Sequence, residues 1–93
     1  MIREYDVNDI PSICIIDFWA PWCGPCRMTS TYLEQFSEKH PEIEILKVNV
    51  DEMPEVAEQY DVISLPTLLG LKDGNIEWKH VGLMTVKQLE DTL

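Results

Sequence analysis

The chain has 93 residues, 45% of them hydrophobic, which is enough for one small domain with a single core over residues 1–93. Its 17 acidic and 7 basic residues give a formal net charge of −10, which argues against nucleic acid as a partner. This charge favours solubility or, alternatively, attraction of basic partners. The start lacks a secretory pattern and no apolar run could span a membrane, so we expect a soluble, monomeric, cytoplasmic protein.

The first half of the chain alternates strand-like and helix-like patterns. A short strand can form over residues 2–5, and the nearly continuous apolar run over residues 13–19 predicts a strand covered on both faces of a sheet. Apolar side chains then recur at three- and four-residue spacing over residues 24–39, which predicts a helix. Its predicted apolar stripe consists of Met28, Tyr32, Leu33 and Phe36.

The second half continues the alternation. A strand is predicted over residues 43–50 and a short helix over residues 54–60. Strands over residues 67–71 and 76–81 flank an Asp-Gly turn signal and predict a hairpin. A last helix should begin at Thr85 with Val86, Leu89 and Leu93 on one face. This order of elements is typical of an α/β fold.

Two thiols stand three residues apart in the segment Trp22-Cys23-Gly24-Pro25-Cys26, where the strand should give way to the helix. At a helix N-terminus, free backbone N–H groups and the helix dipole favour a thiolate over a thiol. The spacing therefore predicts a redox-active dithiol. Half of a zinc site is the alternative, but its other ligands would have to come from Cys14, His40 and His80, which have no paired spacing.

Asp17 is an acid within the apolar run of the first long strand. If it is buried without a partner, its pKa would be raised, and it could act as a proton acceptor. The alternative is a solvent-facing strand residue.

Several segments in a fixed order resemble the thioredoxin family. They are Asp17-Phe18-Trp19-Ala20, the Trp-Cys-Gly-Pro-Cys segment, Lys47-Val48-Asn49-Val50-Asp51, Leu65-Pro66-Thr67-Leu68, Lys72-Asp73-Gly74 and Val81-Gly82. The resemblance implies a mixed four- to five-stranded sheet flanked by helices on both faces. Because only twelve residues precede Ile13, the first strand and helix unit should be trimmed.

The position of the two cysteines makes Cys23, nearer the helix start, the expected nucleophile, and Cys26, one turn further, the resolving thiol. The resemblance implies that Asp17 takes a proton from Cys26 through water and that Lys47 is its charge partner. For Lys47, an ordinary exposed strand lysine is an equally good interpretation.

The resemblance also implies a substrate-binding surface beside the dithiol. Leu65 would offer its backbone to an extended client segment, and Leu65–Pro66 would be a cis peptide bond, although sequence alone favours trans. The predicted substrate-binding residues are Trp22, Gly24, Pro25, Leu65, Pro66 and Gly82.

Together these features predict a protein-disulfide reductase that binds no cofactor or metal and carries electrons in the Cys23–Cys26 disulfide. Its expected partners are disulfide-containing client proteins and a thioredoxin reductase that uses NADPH and FAD. One alternative is a non-enzymatic role as a binding subunit of a larger enzyme. Another is an oxidant or isomerase in an oxidising compartment.

Overall fold

One mixed five-stranded sheet organises the chain in the computed structural model, which describes all residues from 1 to 93. The strands are β1 (Ile2–Glu4), β2 (Ile13–Trp19), β3 (Glu44–Asn49), β4 (Thr67–Lys72) and β5 (Asn75–Val81), and the helices are α1 (Gly24–Lys39), α2 (Pro54–Gln59) and α3 (Val86–Glu90). The spatial order of the strands is β1-β3-β2-β4-β5, with β1, β3 and β2 parallel and β4 and β5 antiparallel to their neighbours. The predicted fold class is confirmed.

Helices cover both faces of the sheet because successive strand side chains point to opposite sides. One face packs against α2 through a cluster that includes Cys14, Ile16, Phe18, Leu46, Val48, Val56 and Ala57. The other face packs against α1 and α3 through Ile15, Leu33, Phe36, Ile45, Leu68, Met84 and Leu89. The central strand β2 is therefore buried on both sides, as its continuous apolar run predicted.

The N-terminal segment forms one short strand and a turn. The three residues of β1 pair in parallel with β3, and residues 5–12 then reach β2 through a turn instead of a helix. Tyr5 and Ile10 in this segment pack on the face that also carries α2. Strand β1 is therefore present, and a turn connects it to β2.

Helix α1 buries a different stripe from the predicted one. Met28 is 52% exposed, so its assignment to the buried face was wrong, while Thr29 is fully buried. The buried residues Cys26, Thr29, Leu33 and Phe36 follow three- and four-residue spacing, and Met28 lies one position, about 100°, away from that row. The Thr29 hydroxyl accepts a hydrogen bond from the Met84 amide at 3.3 Å, which ties α1 to the segment before α3.

The hairpin between β4 and β5 has its turn at Asp73 and Gly74, where the Asp-Gly signal predicted it. Asp73 and Gly74 both have positive φ, at 52° and 81°, as a type I′ turn requires. Within β4, Gly70 lies directly opposite Trp78, and a Cβ on Gly70 would collide with the Trp78 indole. The indole thus occupies the space of the missing side chain, which explains a glycine in the middle of a strand.

Helix α3 begins with a complete capping box between Thr85 and Gln88. Leu89 is fully buried, but the helix ends at Glu90 and Leu93 is 63% exposed. The prediction that Leu93 shares the buried face was therefore wrong, because the residue lies beyond the last helical turn. No helix of the chain combines the length and apolar character that crossing a membrane requires.

Candidate active site

The two cysteines of the Trp-Cys-Gly-Pro-Cys segment meet at the N-terminus of α1 and are joined by a disulfide, with their Cα atoms 5.3 Å apart. Cys23 is the N-cap residue, and its Sγ accepts a hydrogen bond from the Cys26 amide at 3.2 Å. Cys23 is 6% exposed and Cys26 is 2% exposed. Cys23, nearer the helix start, is therefore both the slightly more exposed residue and the one whose sulfur receives a helix N–H group.

The local fold places this pair at the C-terminal end of β2. The chain leaves the strand through Ala20, whose carbonyl accepts a hydrogen bond from the Cys23 amide at 3.1 Å. Ala20, Cys23 and Cys26 form a small buried cluster against which Leu65 packs. The dithiol thus lies where an open α/β sheet commonly places its reactive groups, outside the carboxyl end of a central strand.

Asp17 is buried below the start of α1, with only 1% of its surface exposed. It stands in register with Lys47 on the adjacent parallel strand, and the Lys47 Nζ atom lies 3.2 Å from its Oδ2 atom. Neither carboxylate oxygen has a partner in good hydrogen-bond geometry. Burial raises the pKa of Asp17, and the nearby Lys47 ammonium opposes this only partly.

Lys47 makes two further contacts that the sequence analysis missed. Its Nζ donates to the Ser30 hydroxyl at 2.8 Å and lies 5.1 Å from the centroid of the Trp19 ring. Ser30 follows Cys26 by four residues on α1, so helical periodicity alone places both side chains on one face. That spacing could have placed Ser30 near Cys26, but the contact of Ser30 with Lys47, the partner of Asp17, appears only in the structure.

Trp22 projects from the loop before the dithiol and is 67% exposed. Its indole Nε1 donates to the carboxylate of Asp51, at 3.1 and 3.3 Å from the two oxygens. Asp51 is a second residue that the sequence analysis did not single out. The hydrogen bond gives a large exposed aromatic surface a fixed orientation.

The segment before β4 borders the two cysteines, since Leu65 packs against them. The Leu65–Pro66 peptide bond is cis, as the resemblance implied, and the Gly82 amide donates to the Pro66 carbonyl at 2.8 Å. Neither the N–H nor the carbonyl of Leu65 is hydrogen-bonded within the protein. Gly24 and Pro25 form the exposed first turn of α1, and the Gly24 Cα faces open space.

The third cysteine, Cys14, does not belong to this site. It is a free thiol, 2% exposed, in the cluster that packs against α2. Burial raises the pKa of the Cys14 thiol, which keeps it protonated and unreactive. No group of three or more His, Cys, Asp or Glu side chains lies together in a way that could hold a metal ion.

Comparison with known proteins assigns this geometry to one family. The family model for thioredoxin matches residues 3–93. The chain is 44% identical to thioredoxin of Bacillus subtilis over 90 residues, which are 96% of this chain and 86% of that protein. It is 44% identical to thioredoxin of Alicyclobacillus acidocaldarius over 80 residues, which are 85% of this chain and 76% of that one.

Solved structures agree with these matches. The structure of Fasciola hepatica thioredoxin superposes with a TM-score of 0.79 at 36% identity, covering 86% of this chain and 76% of that one. Yeast mitochondrial thioredoxin 3 in its oxidised form superposes with a TM-score of 0.79 at 34% identity, covering 87% of this chain and 76% of that one. The chain belongs to the thioredoxin family, and its Cys23–Cys26 pair makes it a thiol–disulfide oxidoreductase that reduces protein disulfides.

Proposed function

We propose that Cys23 is the attacking thiol of this reductase and Cys26 the resolving thiol. The observation that carries this assignment is the N-cap position of Cys23, whose Sγ receives the Cys26 amide at 3.2 Å. A thiolate at that position accepts a charge-assisted hydrogen bond and lies at the positive end of the helix dipole. Cys23 is also the slightly more exposed of the two residues, which agrees with its role as the thiol that meets the client.

The reaction then proceeds in two exchanges. The Cys23 thiolate attacks one sulfur of the client disulfide, forms a mixed disulfide and releases the other client sulfur as a thiolate. Cys26 loses its proton and attacks the Cys23 sulfur, which closes the Cys23–Cys26 disulfide and releases the second client thiolate. The dithiol gives up two electrons, and the client disulfide gains them.

Asp17 is the proton acceptor for Cys26 in this proposal, and Lys47 is its charge partner. A carboxyl group whose pKa is raised by burial is a better base than an exposed one. It lies on the sheet face that α1 covers, and the cleft beside it is lined by both Cys26 and Lys47. Water in that cleft would carry the proton from Cys26 to Asp17.

The client would bind along the rim formed by the exposed indole of Trp22 and the backbone around the cis bond. The free N–H and carbonyl groups of Leu65 suit an extended client segment that adds to the chain as a strand does. The hydrogen bond between Gly82 and the Pro66 carbonyl holds the neighbouring loop in place. The open space at Gly24, before Pro25, lets a client backbone approach the sulfurs.

Sustained turnover needs a source of two electrons, because the reaction ends in the disulfide form. We assign this role to a thioredoxin reductase that uses NADPH and FAD, with this chain acting as an electron carrier in the cytoplasm. The family relationship supports this partner.

Reduction of insulin disulfides by the wild type and by three variants tests the assignment of the two thiols. We expect Cys23→Ser to lose the catalysed rate by on the order of 10³-fold or more, as removal of a nucleophile does in other enzymes. Cys26→Ser should form a mixed disulfide with the client and stop there. Cys14→Ala is the control and should keep the wild-type rate, since Cys14 is buried away from the site. A stable mixed disulfide on Cys23→Ser instead would reverse the two roles.

A further inference from the structure

The ammonium group of Lys47 is held from three sides. Its Nζ lies 2.8 Å from the Ser30 hydroxyl, 3.2 Å from Asp17 Oδ2 and 5.1 Å from the centre of the Trp19 ring. The Asp17 contact comes from β2 and the Ser30 contact from α1, so the lysine links the central sheet to the helix that carries the dithiol. Its side chain remains 20% exposed, so part of it borders solvent.

Two clefts meet at this lysine. The first, of about 190 Å³, is lined by Trp19, Ala20, Pro21, Cys26, Arg27, Ser30 and Lys47. The second, of about 280 Å³, is lined by Ile2, Arg3, Glu4, Trp19, Lys47, Asn49 and Glu52. Lys47 and Trp19 border both clefts. A flexible lysine at this boundary can turn toward the dithiol side or toward the carboxylates of Glu4 and Glu52.

We propose that Ser30 is a positioning residue, whose hydroxyl holds the Lys47 ammonium on the dithiol side, beside Asp17. Among the groups that line the first cleft, Ser30 is the one whose oxygen accepts a hydrogen bond from Lys47. Without it, the carboxylates of Glu4 and Glu52 in the second cleft compete for the ammonium. The proposal rests on the role assigned to Asp17 above, and it adds the residue that keeps the charge partner of Asp17 in place.

Holding Lys47 affects the proton step in a definite direction. A nearby ammonium stabilises the carboxylate form of Asp17, which is the form that accepts a proton from the Cys26 thiol. The first cleft, of about 190 Å³, has room for water beside the polar side chains of Arg27, Ser30 and Lys47, and such water would take up the proton after each turnover. Besides Lys47, the charged groups that face this region are Arg27 on α1, Arg3 and Glu4 on β1, and Glu52.

The titration of Asp17 in the oxidised protein tests the proposal, because the two bonded cysteines do not titrate in that form. The carboxyl carbon of Asp17 is followed by ¹³C NMR in the wild type, Ser30→Ala and Ser30→Thr. We expect Ser30→Ala to move the titration midpoint to higher pH and Ser30→Thr, which keeps a hydroxyl, to leave it close to the wild type. Thr31→Ala is the matched control: its hydroxyl is also on α1 but bonds to the Arg27 carbonyl.

The second readout is the rate at which the mixed disulfide resolves, measured by stopped flow in a single turnover from pH 5 to 9. Ser30→Ala should slow this step at pH 6 roughly two- to fivefold, the effect of losing one partly exposed charge contact, and Thr31→Ala should not. An unmoved or lowered midpoint in Ser30→Ala would overturn the positioning role, and, if Asp17→Asn shows that Asp17 is the base, so would a raised midpoint with an unchanged rate profile.

Asp17→Asn separates this inference from the proposed proton acceptor. If Asp17→Asn resolves the mixed disulfide with the wild-type pH profile, Asp17 is not the base, and the assignment of Asp17 fails. The Asp17 midpoint in Ser30→Ala still reports whether Ser30 positions Lys47. A changed Asp17→Asn profile together with an unmoved midpoint in Ser30→Ala would retain the base and reject the positioning residue.

Discussion

Asp17 combines a buried carboxylate with one incomplete partner, and this sets its energetics. Only Lys47 approaches it, and no donor completes a hydrogen bond to either oxygen in good geometry. The ionised form therefore loses its hydration, and the contact with Lys47 offsets only part of that loss. This is why the pKa of Asp17 is raised. A residue kept in that state lowers the free energy of unfolding at neutral pH.

We predict that Asp17→Asn is more stable than the wild type at pH 8. The native protein holds the Asp17 proton to higher pH than the unfolded chain does, so wild-type stability falls as pH rises from the unfolded pKa through the native one. The variant avoids a loss in the free energy of unfolding of about 1.4 kcal/mol for each pH unit between the unfolded and the native pKa of Asp17. The gain should be complete above the native pKa and vanish well below pH 4, as measured by urea denaturation between pH 3 and 8.

Asp61→Asn is a suitable control for this experiment. Asp61 is exposed and has a φ of 55°, a conformation that Asn tolerates as well as Asp. Its stability should follow that of the wild type at every pH. A loss of stability at pH 8 in Asp17→Asn would show that the ion pair with Lys47 outweighs the burial of the charge.

For single residues, the sequence predicts which side chains carry reactive groups better than it predicts which side chains touch each other. Asp17 could be predicted because a lone acid in an apolar strand run is conspicuous. The contact between Ser30 and Lys47 could not, because it depends on how α1 lies across the sheet. Met28 was misplaced for a related reason: both it and Thr29 can begin a helical stripe, and packing against the sheet selects Thr29.

At the scale of elements, the pairing of β4 with β5 depends on one close contact. The Trp78 indole lies across Gly70 in the opposite position of the hairpin, and a register shift follows between Gly70 and Leu71. Trp78 also packs against the cluster that contains Ile15 and Leu89. The glycine therefore admits an aromatic ring that covers part of the sheet beside α1 and α3.

We predict that Gly70→Ala lowers the free energy of unfolding by about 1–3 kcal/mol, the usual cost of inserting a group into a packed site. The added Cβ would displace the Trp78 indole from the strand. Chemical denaturation measures the loss, and the intrinsic fluorescence should change because an indole moves. Gly24→Ala is the control: its Cβ would enter open space, so its stability should stay within about 0.5 kcal/mol of the wild type. Equal stability of both variants would contradict the tight contact.

The elements themselves were largely predictable, since their bounds follow hydrophobic periodicity and turn residues. The type I′ turn at Asp73 and Gly74 is a local property and was found from two residues. The reason why residue 70 is a glycine could not be found in this way, because Trp78 approaches it from the next strand. Leu93 was assigned to α3 since its spacing fits, but the helix ends three residues earlier and the side chain faces solvent.

At the scale of the whole molecule, the excess of 17 acidic over 7 basic residues gives a net charge of −10 and a negative field around the protein. Asp51 and Glu52, both exposed, follow β3 close to Trp22, and Asp51 bonds to its indole. Such a field changes association rates more than it changes the chemistry of bound clients. It should therefore favour clients with basic residues near their disulfide.

We predict that the second-order rate constant for reducing a lysine-flanked disulfide peptide falls roughly tenfold between 10 mM and 500 mM salt, because screening removes the attraction. The same peptide with glutamates in place of the lysines should react slowly at low salt and faster at high salt. Stopped-flow fluorescence of the pre-reduced protein gives both rates, and a peptide with neutral flanks serves as the control. Equal salt dependence of all three peptides would exclude steering by the net charge.

The hydrogen bond from the Cys26 amide to Cys23 Sγ links the redox state of the protein to the start of its longest helix. In the proposed mechanism, the sulfur that caps α1 is also the one that exchanges bonds with the client. In that mechanism the reduced cap acts as a thiolate, and a charged acceptor binds an N–H group more strongly than a neutral one does. Reduction should therefore tighten the first turn of α1, and the enzyme can store two electrons without loosening the helix that presents them.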